Sequence, residues 1–159
     1  NENKDQQIKA FERQMQIARE AQLPIIIHSR DAAKDTYDVM KANRADEMGG
    51  IVHCFSYTKE MAKKFMDMGF YLGIGGVVTF SNARKLQEVV EYMPMDKMVI
   101  ETDCPYMSPV PNRGKRNDSF NLPYVVNKIA EIKGISPTEV IDITCENAKN
   151  VYGIGRKRI

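Results

Sequence analysis

The sequence predicts an α/β protein built on parallel strands, and three observations carry that reading. Four short apolar runs recur at intervals of roughly 20 to 25 residues, stretches of helical periodicity separate them, and Gly or Pro marks most of the joins. Strands that alternate with helices in this way assemble as right-handed βαβ units. Three of the four runs also end on a residue able to bind a metal: His28, His53 and Asp103.

From Asn3 onward Ile8, Phe11, Met15 and Ala18 recur at spacings of three and four, which makes an amphipathic helix. Pro24 separates it from the first strand, Ile25 to His28. Asp31 to Met40 is again helical, Gly49 and Gly50 punctuate, and Ile51 to Phe55 form the second run. Thr58 can cap a helix that buries Met61, Phe65 and Met68 and stops at Gly69, before the third run Phe70 to Ile74. Leu86, Val89, Val90 and Met93 share the next helix face, Pro94 ends it, and Lys97 to Asp103 form the fourth strand. A loop rich in Pro and basic residues, Pro105 to Asp118, leads to a helix over Leu122 to Lys133. Ser136-Pro137-Thr138-Glu139 then supplies a capping box with Pro at the first helical position. The closing Arg156-Lys157-Arg158 reads as a solvated tail.

A chain of 159 residues fits one domain, and a domain of that size buries about 70% of its unfolded surface. The 23 basic and 21 acidic residues leave a net charge of +2, too balanced to mark a nucleic-acid binder as a whole, so any anion preference must be local. Cys54, Cys104 and Cys145 are odd in number and lack paired spacing, which favours reduced thiols and a cytoplasmic protein. No apolar run approaches the roughly 20 residues of a membrane span, and the polar stretch Asn1 to Asp5 does not read as a signal peptide. The chain opens on a helix with no strand before it, an order that hints at an upstream portion.

Strand ends are where α/β folds gather their chemistry. Taken singly, each histidine could be a satisfied core side chain and Asp103 a cap or turn residue. Together, at like places in successive units, His28, His53 and Asp103 form a donor set suited to a divalent ion, with Asp103 also placed to act as general base toward a metal-activated water. Glu101 shares the side-chain direction of Asp103, and as a buried carboxylate it needs a cation, which Lys, Arg or a metal could supply. Arg113, Lys115 and Arg116 follow on a loop that is either a phosphate clamp or an ordinary solvated segment. Arg30, two residues past His28, is a further phosphate contact or an ion-pair partner of Asp31 or Asp35. Gly73-Ile74-Gly75-Gly76 lacks the spacing of a dinucleotide fingerprint and reads as close backbone approach at a strand end.

Five phrases in order, Pro24-Ile-Ile-Ile-His28-Ser-Arg-Asp31, Gly50-Ile-Val-His53-Cys-Phe-Ser56, Glu101-Thr-Asp103-Cys-Pro105-Tyr, Pro111-Asn-Arg-Gly-Lys-Arg-Asn117 and Thr144-Cys-Glu-Asn147-Ala, together resemble the TatD family of metal-dependent deoxyribonucleases. The resemblance implies an amidohydrolase-type TIM (β/α)₈ barrel with a divalent metal centre (Mg, Mn or Zn, two ions in the complete site) that hydrolyses phosphodiester bonds, often from a 3′ end. By that likeness His28, His53 and Asp103 are metal ligands, Asp103 is the base, and Arg30, Arg113 and Arg116 meet the phosphates of a DNA substrate, a single strand or a 3′ end.

The family's barrel opens with a His-x-His pair and carries a bridging glutamate on its fourth strand, and this sequence contains neither. Residues 1–159 are therefore expected to be a single domain matching the fifth to eighth strands, incomplete for catalysis alone and completed by an amino-terminal half or a second copy. Two other readings stand beside this one: a non-catalytic half-barrel assembly module, and a metal-dependent hydrolase of ester or aminoacyl bonds.

Overall fold

A computed structural model describes residues 3–154; the basic tail at Arg156 to Arg158 lies outside them. Four strands alternate with helices: α1 (Lys4–Glu20), β1 (Ile25–His28), α2 (Ala33–Ala42), β2 (Gly50–His53), α3 (Lys59–Asp67), β3 (Tyr71–Ile74), α4 (Arg84–Tyr92), β4 (Met98–Ile100), α5 (Leu122–Lys133) and α6 (Pro137–Tyr152). All pairings are parallel and the spatial order is β1-β2-β3-β4. Because the order never reverses, right-handed crossovers place the connecting helices on one side of the sheet, the winding of a barrel rather than of a doubly wound sheet.

Most boundaries follow from local chemistry. Thr58 caps α3 by accepting from the Met61 amide, and Ser136 and Glu139 form the reciprocal capping box of α6. Gly134 closes α5 in the left-handed conformation at φ 66°. The structure moves several expected boundaries: α2 is shifted two residues along, the second strand ends at His53 rather than Phe55, and the fourth strand is cut short. Asp31 has φ 53°, which no helix accommodates, so α2 starts at Ala33. The fourth strand stops at Ile100: Glu101 still donates to the Ile74 carbonyl at 3.1 Å, but the Tyr106 amide then turns back to the Asp103 carbonyl at 2.8 Å.

The helix-facing side of the sheet is the core. Ile27, Val52, Leu72, Ile74 and Met98 pack there with Phe65, Val89, Met93 and Ile129, all nearly inaccessible. The opposite side carries Ile26 and His28 on β1, Ile51 and His53 on β2, and Gly73 on β3, as the strand period of two requires. Ile26 is 53% exposed there, because β1 is an edge strand. At the other edge the Asn147 amide of α6 donates to the carbonyls of Met95 and Met98, both at 2.7 Å, and so ties that helix to the start of β4.

Candidate metal centre

The carboxyl ends of three strands bring the titratable groups together. His28 and His53 are register partners on adjacent strands, with ring centroids 6.0 Å apart. His53 is the hub: Nδ1 lies 2.9 Å from Glu101 Oε2, and Nε2 lies 3.2 Å from Asp103 Oδ1. Neighbouring strands stand about 4.8 Å apart, so a side chain leaving β4 must cross the whole of β3 to reach β2. Gly73 makes that crossing feasible, since a Cβ at this position would overlap the Glu101 carboxyl. The glycine run thus serves close approach, as its spacing predicts, although what approaches at Gly73 is a carboxylate rather than backbone. At Gly76 it is backbone, the Met107 carbonyl and the Pro109 nitrogen.

Sequence reasoning asks for a cation beside Glu101. Its partners are the His53 ring and the Cys54 amide, which donates to Oε1, and among the described residues neither Lys nor Arg takes part. Cys54 holds that amide in place with a left-handed φ of 48°. Burial pushes Glu101 up from the ordinary carboxylate range, while His53 and the Cys54 amide pull against it. For His53 burial acts downward, but Glu101 and Asp103 together outweigh it and raise the imidazole above its usual 6.5. Burial, with the same two carboxylates, pushes the Cys54 thiol up to about 11, so near neutral pH it is a poor nucleophile.

Imidazole and carboxylate donors suit a divalent ion. Two donors each about 2.0 Å from a tetrahedral ion stand about 3.3 Å apart, close to the 3.2 Å between His53 Nε2 and Asp103 Oδ1. Glu101 occupies the other imidazole nitrogen, the arrangement that orients a metal-binding histidine. The spacing of that pair therefore fits a metal, and His28 stands beside it in register. Among the described residues no group of three or more His, Cys, Asp or Glu is drawn together tightly enough to hold an ion.

The arginines divide between two places. Arg30 lines an apolar groove of about 820 Å³ between α1 and β1, and its only ion pair among the described residues is a loose 4.0 Å approach to Asp31. Asp35, the other expected partner, pairs with Lys4 at 2.7 Å. Arg113 and Arg116 line a separate cleft of about 470 Å³ that begins at Pro105, two residues past Asp103. Arg113 is not a free arm there: its guanidinium lies 4.4 Å from the centre of the Phe80 ring, a contact that spacing alone does not reveal.

Sequential parallel strands that deliver imidazole and carboxylate groups to one rim define a strand-end site of the barrel class. The chain belongs to the TatD related DNase family, whose model matches residues 1–153, nearly its whole length rather than a carboxyl-terminal part. It is 48% identical over 151 residues to the uncharacterized metal-dependent hydrolase YabD of Bacillus subtilis, covering 95% of this chain and 59% of that protein. It is 37% identical to the uncharacterized metal-dependent hydrolase YcfH of Escherichia coli K12, covering 99% of this chain and 60% of the relative. A 3′-5′ ssDNA/RNA exonuclease TatD from a Rahnella species is 33% identical, with 97% and 60% covered. The crystal structure of YJJV, a TatD homolog from Escherichia coli K12, matches with a TM-score of 0.83 at 26% identity, over 89% of this chain and 54% of that one. The chain thus spans rather more than half the length of these relatives.

Proposed function

We propose that this chain carries part of the metal centre of a nuclease that hydrolyses DNA phosphodiester bonds, acting on a single strand or a 3′ end. The observation that supports it most is the approach of His53 Nε2 and Asp103 Oδ1 at the rim of the sheet, with His28 in register beside them. His28, His53 and Asp103 would hold a divalent ion, Mg, Mn or Zn, which when bound lowers the pKa of its water to about 7. Asp103 accepts the proton of the attacking water at its carboxylate. Glu101 keeps the His53 ring turned toward Asp103. Arg113 and Arg116, exposed and without an ion pair among the described residues, bind phosphate oxygens, and Arg30 meets the strand further off.

A second ion and its ligands belong to the same reading. They would come from polypeptide docked along both open edges of the sheet, β1 and β4, either an amino-terminal half or a second copy, closing a barrel of which this chain supplies the fifth to eighth strands. The β1 edge exposes Ile26 and borders the groove under α1. A cytoplasmic setting accords with three free cysteines, and no helix of the described residues is long and apolar enough to cross a membrane.

The full-length protein, supplied with Mg or Mn, is expected to shorten single-stranded DNA from its 3′ end, and Asp103→Asn to abolish this while leaving the thermal midpoint within a few degrees. Undiminished cleavage by Asp103→Asn would refute the assignment. An aminoacyl ester assayed alongside separates phosphodiester from acyl chemistry.

A further inference from the structure

We infer that the cleft beside Asp103 is a nucleobase subsite in which Tyr106 stacks on an unpaired base next to the reacting phosphate. The inference rests on the nucleic-acid reading above and adds to it the residue that meets the base.

Tyr106 is 70% exposed, a large ring turned to solvent on a loop that is otherwise firmly held. Its amide donates to the Asp103 carbonyl at 2.8 Å, its own carbonyl accepts from Asn117 Nδ2 at 2.7 Å, and the Asn117 amide donates to the Pro105 carbonyl at 3.0 Å. Asn117 is itself buried and accepts from Asn121 at 3.0 Å. The far side of the loop is closed by the Ser108 hydroxyl on the Lys115 carbonyl at 2.7 Å. An exposed aromatic on so pinned a backbone gives up little entropy when it meets a ligand, which is what a recognition surface requires. Among the described residues Tyr106 has no aromatic or cation-π partner of its own.

The lining of the cleft is basic. Arg113, Lys115 and Arg116 share the cleft of about 470 Å³ with Tyr106, and the Arg113 guanidinium lies over the Phe80 ring. An Arg fork matches the oxygens of a phosphate bidentately. Outside the cleft lining, Phe120 is a further ring 88% exposed, the sequence neighbour of Asn121, whose side chain bonds both Asn112 and Asn117. A cationic groove with exposed rings is the chemistry of single-strand binding, in which each base offers a face to an aromatic. A duplex hides those faces within its own stack, so the terminal base must be unpaired.

Position completes the argument. The turn from Asp103 to Tyr106 keeps their Cα atoms within about 7 Å, the reach between neighbouring nucleotides of an extended strand. A phosphate beside Asp103 therefore brings its adjoining base to Tyr106.

The test uses the full-length protein in EDTA, so that binding is read without cleavage. Fluorescence anisotropy is measured with an end-labelled oligothymidylate and with an abasic oligomer of equal length. The native protein is expected to favour the thymidylate, and Tyr106→Ala to lose roughly 5- to 150-fold in affinity for it with no change toward the abasic strand, while Tyr106→Phe keeps the native margin. Tyr106→Trp should be quenched by the thymidylate and not by the abasic strand. Equal losses on both oligomers, or no loss on either, would overturn the subsite while leaving the nucleic-acid reading intact. Failure of the native protein to bind either oligomer would remove both.

Discussion

His53 has a carboxylate against each ring nitrogen, so a proton and a divalent ion compete for the same Nε2 lone pair. Burial disfavours the imidazolium, but Glu101 and Asp103 more than restore it, and the folded pKa stands above 6.5. The sign follows directly. Below that raised pKa the ring is protonated and an ion must displace the proton, so affinity should climb about tenfold per pH unit and level off above it. Titration calorimetry with Mn in two buffers of different ionisation enthalpy should find close to one proton released per ion on the acid side and fewer on the alkaline side. Affinity independent of pH would exclude His53 as a ligand. At this scale the sequence is informative where chemistry demands a rare residue: the only two histidines and Asp103 stand out by their strand-end places. Tyr106 and the Phe80 stack on Arg113 do not, because both depend on how one loop folds over another.

At the level of elements, β3 matters for what it lacks. Gly73 lies between the strand bearing His53 and the strand leading to Glu101, and its missing side chain is the opening through which the carboxylate reaches the imidazole. Gly73→Ala should push Glu101 off His53 and lower Mn affinity about 10- to 100-fold, the usual cost of losing the partner that orients a metal-binding histidine. Unaltered affinity by the same calorimetry would show that Glu101 has no such role. Helix ends are legible in the sequence because caps are local: Thr58, Gly134 and the Ser136-Glu139 box act within a few residues of themselves. The late start of α2 and the early end of β4 are not, since a left-handed Asp31 and a turn at Asp103 leave no periodic signal.

For the whole molecule, strand order is legible because successive βαβ units of one hand leave few choices. The extent of the sheet is not, because periodicity says nothing about what pairs with its outermost strands. β1 exposes Ile26 beside an apolar groove, and such an edge recruits other chains. Residues 1–159 expressed alone should therefore self-associate with rising concentration in sedimentation velocity, and Ile26→Lys should shift the population toward monomer. A native chain that stays monomeric at every concentration would mean that its own helices shield the edge.

The Asn147 amide, anchored on the Met95 and Met98 carbonyls, has a consequence for how the protein fails. Heat that frays the last helix releases the root of the strand whose far end presents Glu101 and Asp103. The chemistry at the rim is thus moored from behind, by a side chain on the opposite side of the layer, and it should slacken as soon as that mooring slips, before the rest of the protein melts.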